Sequence, residues 1–288
     1  MYKGVYTALV TPFDDRGIDL PALERLIDSQ IDAGITGIVP CGTTGETPTL
    51  SDAERDTVVT TAVQRAAGRC EVVAGTGSNS TAHTIAYTQR AKALGATTAL
   101  VVVPYYNKPT QEGLYQHFRA VAEQGGLPVM LYNVPGRTGV DMLADTVVRL
   151  SEVPGIVAMK EACGSTDRVA ELRARCRAEF SILSGDDVMT LPMMAVGASG
   201  VVSVASNVEP GRVVKMVRAA LDNDYASARV QHLALRALFN ALFVESNPTP
   251  AKAALAQKGM MQDIVRLPLI PASEQTRKVL REVLAHLG

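Results

Sequence analysis

Of the eight lysines in the chain, only Lys160 directly follows a short apolar run, Ile156-Val157-Ala158-Met159; the others fall in helical patterns, in loops or, as Lys3, ahead of the first strand pattern. An ammonium held among apolar neighbours loses hydration, which favours the neutral amine and makes it a nucleophile toward carbonyl groups, the chemistry of a Schiff-base lysine. The competing reading is an ion pair with Glu161 at the rim of the fold, and position alone leaves the two balanced. Neighbouring runs tip the balance. They end in Tyr132-Asn133-Val134-Pro135, in Pro104-Tyr105-Tyr106 and in Gly42-Thr43-Thr44-Gly45-Glu46. A tyrosine and a threonine within hydrogen-bond reach can carry the protons needed to form and dehydrate a carbinolamine. A tyrosine taken singly more often packs its ring and solvates its tip, but three hydroxyl-bearing ends beside one lysine weigh against that. The Gly42 to Gly45 turn has the composition of an anion holder, with converging amides and threonine hydroxyls, although in isolation an ordinary strand-to-helix turn describes it better.

Two other motifs carry less. Gly75-Thr76-Gly77-Ser78-Asn79-Ser80 follows a strand pattern like a dinucleotide fingerprint, yet its third glycine is missing and no acidic residue ends the next strand, so a barrel turn explains it better. Ser184-Gly185-Asp186-Asp187 could offer carboxylates to magnesium, but capping of the following helix is the preferred reading. His83, His117, His232 and His286 are scattered without paired spacing, which disfavours a metal site. Cys41, Cys70, Cys163 and Cys176 form no C-x-x-C pair and read as free thiols.

Something must hold these residues at one place. Short apolar, β-branched runs recur at 5–10, 38–39, 72–74, 99–103, 129–132, 156–159, 181–183 and 201–204, and segments of helical period separate them, as in Leu20, Leu23, Leu26, Ile27 and Ile31. Ser51-Asp52-Ala53-Glu54 reads as a capping box, and Gly34, Gly68 and Gly95 fall where helices should stop. Eight strands alternating with helices form either a doubly wound sheet or a (β/α)8 TIM barrel, and the strand count favours the barrel. In such barrels chemistry sits at the carboxyl ends of the strands, where the residues above lie. After Pro210 to Leu221 the chain is all helical pattern (225–245, 250–259, 274–286), so residues 1–224 read as the barrel and 225–288 as a C-terminal helical appendage.

The 288 residues, 47% hydrophobic and 20% charged, suffice to bury roughly three quarters of the unfolded surface of a soluble globular protein. A net charge of -1 without a basic stripe makes nucleic acid an unsuitable partner. The start, Met1-Tyr2-Lys3-Gly4, enters a strand pattern with no apolar targeting or spanning segment, so the expected location is the cytoplasm, away from membranes.

Taken together, Gly42-Thr43-Thr44-Gly45-Glu46, Pro104-Tyr105-Tyr106-Asn107, Tyr132-Asn133-Val134-Pro135-Gly136-Arg137-Thr138-Gly139, Lys160-Glu161 and Ser184-Gly185-Asp186-Asp187 resemble, in order and spacing from Gly4 to about Leu269, the dihydrodipicolinate synthase / N-acetylneuraminate lyase family. The synthases of this family condense pyruvate with aspartate 4-semialdehyde on the diaminopimelate route to lysine, without a cofactor or metal. The resemblance implies Lys160 as the imine-forming lysine and a proton relay of Tyr132, Thr43 and a Tyr106 donated by a neighbouring subunit. It also implies Thr43 and Thr44 on the pyruvate carboxylate, Arg137 on the carboxylate of the semialdehyde, and backbone carbonyls of Gly185 and Val202 lining the pocket. The sugar-acid aldolases of the family generally lack the Arg137 match and commonly carry serine in place of Thr43, which favours the synthases. A non-catalytic barrel binding pyruvate or lysine is disfavoured by the intact Lys160, Tyr132 and Thr43. The family is usually a homotetramer of tight dimers. Asn79 and Tyr105 agree with its lysine-sensitive pattern, but His83 stands in place of a glutamate and Arg55 in place of a histidine, so inhibition by lysine is expected to be weak or absent.

Overall fold

The structure, a computed structural model, describes residues 1–287. Eight parallel strands follow one another around a closed barrel: β1 (Gly4–Ala8), β2 (Gly37–Val39), β3 (Glu71–Gly75), β4 (Thr98–Val102), β5 (Val129–Asn133), β6 (Ile156–Glu161), β7 (Ser181–Ser184) and β8 (Gly200–Ser203). Closure requires β1 to pair with both β2 and β8. The last seam opens on the register pair Gly4 and Gly200, where a Cβ on Gly200 would stand 2.0 Å from the carbonyl oxygen of Gly4. Only glycine permits that approach. The doubly wound alternative is thereby excluded.

The helices that follow the eight strands in turn are α1 (Leu20–Asp32), α2 (Asp52–Ala66), α3 (Thr81–Ala93), α4 (Gln111–Gln124), α5 (Ala144–Ser151), α6 (Thr166–Arg175), α7 (Thr190–Ala195) and α8 (Pro210–Leu221). They cover the outer face of strands that are apolar on both sides; all five residues of β5 are buried. The predicted capping box at α2 is present, with Glu54 N donating to Ser51 Oγ and Ser51 N to the Glu54 carboxylate. Gly34, Gly68 and Gly95 all follow helix ends with positive φ.

Three further helices, α9 (Tyr225–Ala241), α10 (Thr249–Gln257) and α11 (Glu274–Leu287), complete the described chain. The helix α9 ends at Ala241 rather than at the predicted Glu245, and the following segment turns toward the barrel mouth. The next helix is no loose addition, since every residue from Thr249 to Leu255 is buried. No helix among the described residues is long and apolar enough to cross a membrane.

Of the four histidines, His117 on α4 is the most deeply placed, with Nδ1 2.9 Å from Thr81 Oγ1 at the start of α3 and its ring edge-on to Phe118. Burial pulls its pKa from the usual 6.5 down to about 4, so the folded chain keeps the ring neutral where the unfolded chain takes up a proton. Stability from this residue is therefore intact above pH 6.5 and is lost as the pH falls toward 4, by about 3 kcal/mol in all. Denaturant unfolding of His117→Gln, followed between about pH 7 and about pH 4.5, should show a flatter decline than the parent chain. Parallel curves would refute the assignment.

Candidate active site

The strand β6 runs two residues beyond the apolar segment, so Lys160 is inside the strand and not just after it. Both polar residues can stay in the strand because each finds a place for its side chain. Backbone pairing sets Tyr132 beside Lys160, Asn133 beside Glu161, and Glu161 beside Ser184. Successive side chains of a strand point to opposite faces, so Lys160 and Glu161 part company. The Glu161 carboxylate, fully buried, accepts from Asn133 Nδ2 at 3.0 Å and from the Cys163 amide at 3.0 Å, with Arg168 Nε 3.5 Å away. Burial pushes the Glu161 pKa up, against the Arg168 charge and these hydrogen bonds. The rim ion pair between Lys160 and Glu161 does not form.

Lys160 instead enters a cavity of about 150 Å³ together with Thr43, Thr44, Tyr132, Val134 and Arg137. Its residue is 5% exposed, and Nζ sits 4.2 Å from the centroid of the Tyr132 ring. The face of an aromatic ring attracts a cation without accepting its proton, so the amine keeps its hydrogen-bonding capacity for a ligand. Gly185 makes room for the lysine stem: a Cβ there would meet Ala162 Cβ at 2.7 Å and the Lys160 Cγ and Cε at 3.1 Å. A second cavity, of about 250 Å³, shares Thr43, Tyr132, Val134 and Arg137 and adds Tyr105. The two cavities share this wall, and Lys160 lines the smaller one.

The other residues singled out in the sequence divide. Thr43 and Thr44 lie in the turn after β2, and Arg137 lies in the helical turn Pro135–Thr138 after β5, exposed on the wall common to both cavities. Val202 is buried within β8, paired with Tyr6 of β1, and Val204 rather than Val202 borders the Lys160 cavity. Tyr106 is 89% exposed at a positive φ and does not line the cavity of its own chain. Asn79 and Arg55 are away from Lys160: the Asn79 carbonyl accepts from Asn107, while Arg55 donates to Gly75 O at 2.9 Å and stacks its guanidinium over Tyr87. The ring of His83 lies 6.3 Å from that of Tyr87 on the same helix.

The expected helix cap at Ser184 to Asp187 is not what Asp187 does. Its carboxylate reaches across to the next strand end, accepting from Ser203 Oγ at 2.5 Å and from the amides of Val204 and Ala205. Complete burial raises its pKa, an effect these three donors oppose. The local turn is closed instead by Ser184 Oγ, which accepts from the Asp186 amide, and by the Asp186 carboxylate, which accepts from Val188 N. Among the described residues no group of three or more His, Cys, Asp or Glu could hold a metal ion.

Sequence reasoning missed the part of the site supplied by the C-terminal region. Phe243 and Asn247 line the Lys160 cavity, and Asn247 Nδ2 donates to Thr44 Oγ1 at 2.9 Å. With that hydroxyl oxygen already accepting, the Thr44 proton is available to a ligand. No local signal announces a contact spanning 203 residues.

This geometry has close counterparts. Residues 1–287 match the Dihydrodipicolinate synthetase family. The chain is 49% identical to the 4-hydroxy-tetrahydrodipicolinate synthase of Pelobacter propionicus over 100% of its own length and 99% of that protein. It superposes on the crystal structure of dihydrodipicolinate synthase from Aquifex aeolicus with a TM-score of 0.97 at 49% identity, covering 99% of this chain and 97% of that one. A structure from Cyanidioschyzon merolae, determined with lysine bound, gives a TM-score of 0.96 at 40% identity over 100% and 98% of the two chains. With the barrel, the strand-end lysine and full-length similarity in agreement, the chain belongs to the dihydrodipicolinate synthetase family.

Proposed function

We propose that the protein is a Schiff-base lyase that condenses pyruvate with L-aspartate 4-semialdehyde to 4-hydroxy-tetrahydrodipicolinate. The observation that carries this reading is an amine, Lys160 Nζ, that pairs with no carboxylate among the described residues and lies in a cavity that also holds Tyr132, Thr43, Thr44 and Arg137. The amine attacks the ketone carbon of pyruvate, water leaves, and the imine draws electrons so that a methyl proton can be lost. The resulting enamine carbon attacks the aldehyde. The amino group of the semialdehyde moiety then adds to the imine carbon, releases Lys160 and closes the ring.

Each neighbour has a task in this sequence. Tyr132 and Thr43 move protons to and from the carbinolamine oxygen, joined by a Tyr106 from an adjoining subunit of a homotetramer; the exposure of Tyr106 on the single chain supports this last role. Thr43 and Thr44 hold the pyruvate carboxylate, and Gly185 and Val204 complete the pocket wall. Arg137 receives the semialdehyde carboxylate, because its planar fork makes two parallel hydrogen bonds where a lysine makes a less selective contact. The barrel, residues 1–224, carries the reacting groups, and the C-terminal helical region adds Phe243 and Asn247 to their cavity. A cytoplasmic enzyme with four free thiols fits these parts.

Steady-state assays with purified protein decide between synthase and sugar-acid aldolase: turnover is expected with pyruvate plus L-aspartate 4-semialdehyde, and cleavage of N-acetylneuraminate without such turnover would overturn the proposal. In the same assay Arg137→Lys should lower kcat/KM for the semialdehyde by about 10-fold or more, while kcat/KM for pyruvate stays within about 3-fold. Equal losses for both substrates would remove Arg137 from its assigned place. Lysine should inhibit weakly or not at all, since Arg55 is engaged by Tyr87 and Gly75 and His83 offers no carboxylate for an ammonium. A titration showing strong inhibition at physiological lysine concentrations would contradict this.

A further inference from the structure

A second buried lysine lies behind the turn that carries Thr43 and Thr44. Lys252 on α10 is fully buried, and its Nζ donates to Glu46 Oε1 at 2.7 Å and to Thr11 O at 2.8 Å, 4.1 Å from the centroid of the Phe13 ring. Glu46 is 2% exposed, and its other oxygen accepts from the Arg266 amide at 3.0 Å. The carboxylate is thus gripped twice by the C-terminal region.

Glu46 in turn defines the turn before it. Its amide donates to Thr43 O, the Gly45 amide donates to Gly42 O, and Thr11 Oγ1 holds the Gly45 carbonyl. The residue itself adopts a left-handed conformation, φ 55°, which side chains other than glycine enter at a cost. A buried ion pair is also a poor stability device, because the loss of hydration of both charges largely cancels their attraction, and apolar replacements of similar volume are often as stable or more so. What such a pair supplies is a single pose. Here the pose is that of a turn whose two threonines face the cavity, and Asn247 from the same C-terminal region fixes the Thr44 hydroxyl.

We propose that Glu46 and Lys252 are a positioning pair for pyruvate recognition, through which the C-terminal helices set the turn that grips the substrate carboxylate. This inference rests on the catalytic reading given above. It places the pair's effect in the first half-reaction, binding and activation of pyruvate, and spares the second, attack on the aldehyde. In a ping-pong scheme the two kcat/KM values report the two half-reactions separately.

Two variants test it: Glu46→Gln, which keeps the shape and removes the charge, and the apolar pair Glu46→Leu with Lys252→Met. In both, kcat/KM for pyruvate should fall about 10-fold or more while kcat/KM for the semialdehyde stays within about 3-fold of the parent. The apolar pair should melt at or above the temperature of Glu46→Gln, so that stability recovers while pyruvate recognition does not. Parental kcat/KM for pyruvate in the apolar pair would overturn the proposal, as would an apolar pair that fails to fold or equal losses for both substrates. Failure of the unaltered protein to turn over the two substrates would instead defeat the catalytic reading itself, and is seen before any variant is made.

Discussion

The site depends on one constraint, the alternation of side chains along β6. The register that sets Tyr132 beside Lys160 also sets Asn133 beside Glu161, so a single pairing of strands sends the amine inward and the carboxylate outward. If the two residues shared a face, Glu161 would pair with Lys160 and occupy its hydrogen-bonding capacity. Because they do not, Glu161 is left as a buried charge that must be compensated elsewhere, and Asn133, the Cys163 amide and Arg168 do so. Arg168 stands on α6, so the helix packed outside the barrel is tied to the electrostatics of the strand that bears the lysine.

The same solution recurs around the mouth. Asp187 is buried at the end of β7 and satisfied by Ser203, Val204 and Ala205 at the end of β8. Glu46, after β2, is satisfied by Lys252 and the Arg266 amide. Each buried carboxylate binds one strand end to a neighbouring strand or to the C-terminal region, and none is spent on Lys160. Local opening of the mouth would expose or unpair these charges, which makes a loose site costly. Preorganised surroundings of this kind are where a few donors act strongly on a developing charge.

Much of this was legible in the residue order. All eight apolar runs became barrel strands, because a strand buried on both faces must be apolar nearly throughout, and that pattern is local. The meeting of Lys160, Tyr132, Thr43 and Thr44 in one cavity is legible too, since strand ends of a barrel converge, whereas Arg137 is reached only through the family resemblance. Errors arose where a polar residue found a distant partner. The apolar pattern of the sixth run stops at Met159, and only the partners found by Lys160 and Glu161 in the fold carry the strand on to Glu161. The segment Ser184 to Asp187 reads locally as a helix cap, while the donors to Asp187 lie at the end of the next strand, and nothing near Asn247 or Lys252 indicates that each meets the turn after β2. Side-chain pairing over such separations leaves no periodic trace in one sequence.

The central claim is that Lys160, and no other lysine, is the covalent partner of pyruvate. Incubation of the protein with pyruvate and sodium borohydride, followed by peptide mass mapping, tests it most directly, because reduction fixes an imine as a stable secondary amine. A single pyruvate-derived adduct on the peptide containing Lys160, absent without pyruvate, is the predicted result. Inactivation with the adduct on Lys252 or another lysine, or no adduct in a preparation that turns over both substrates, would contradict the account.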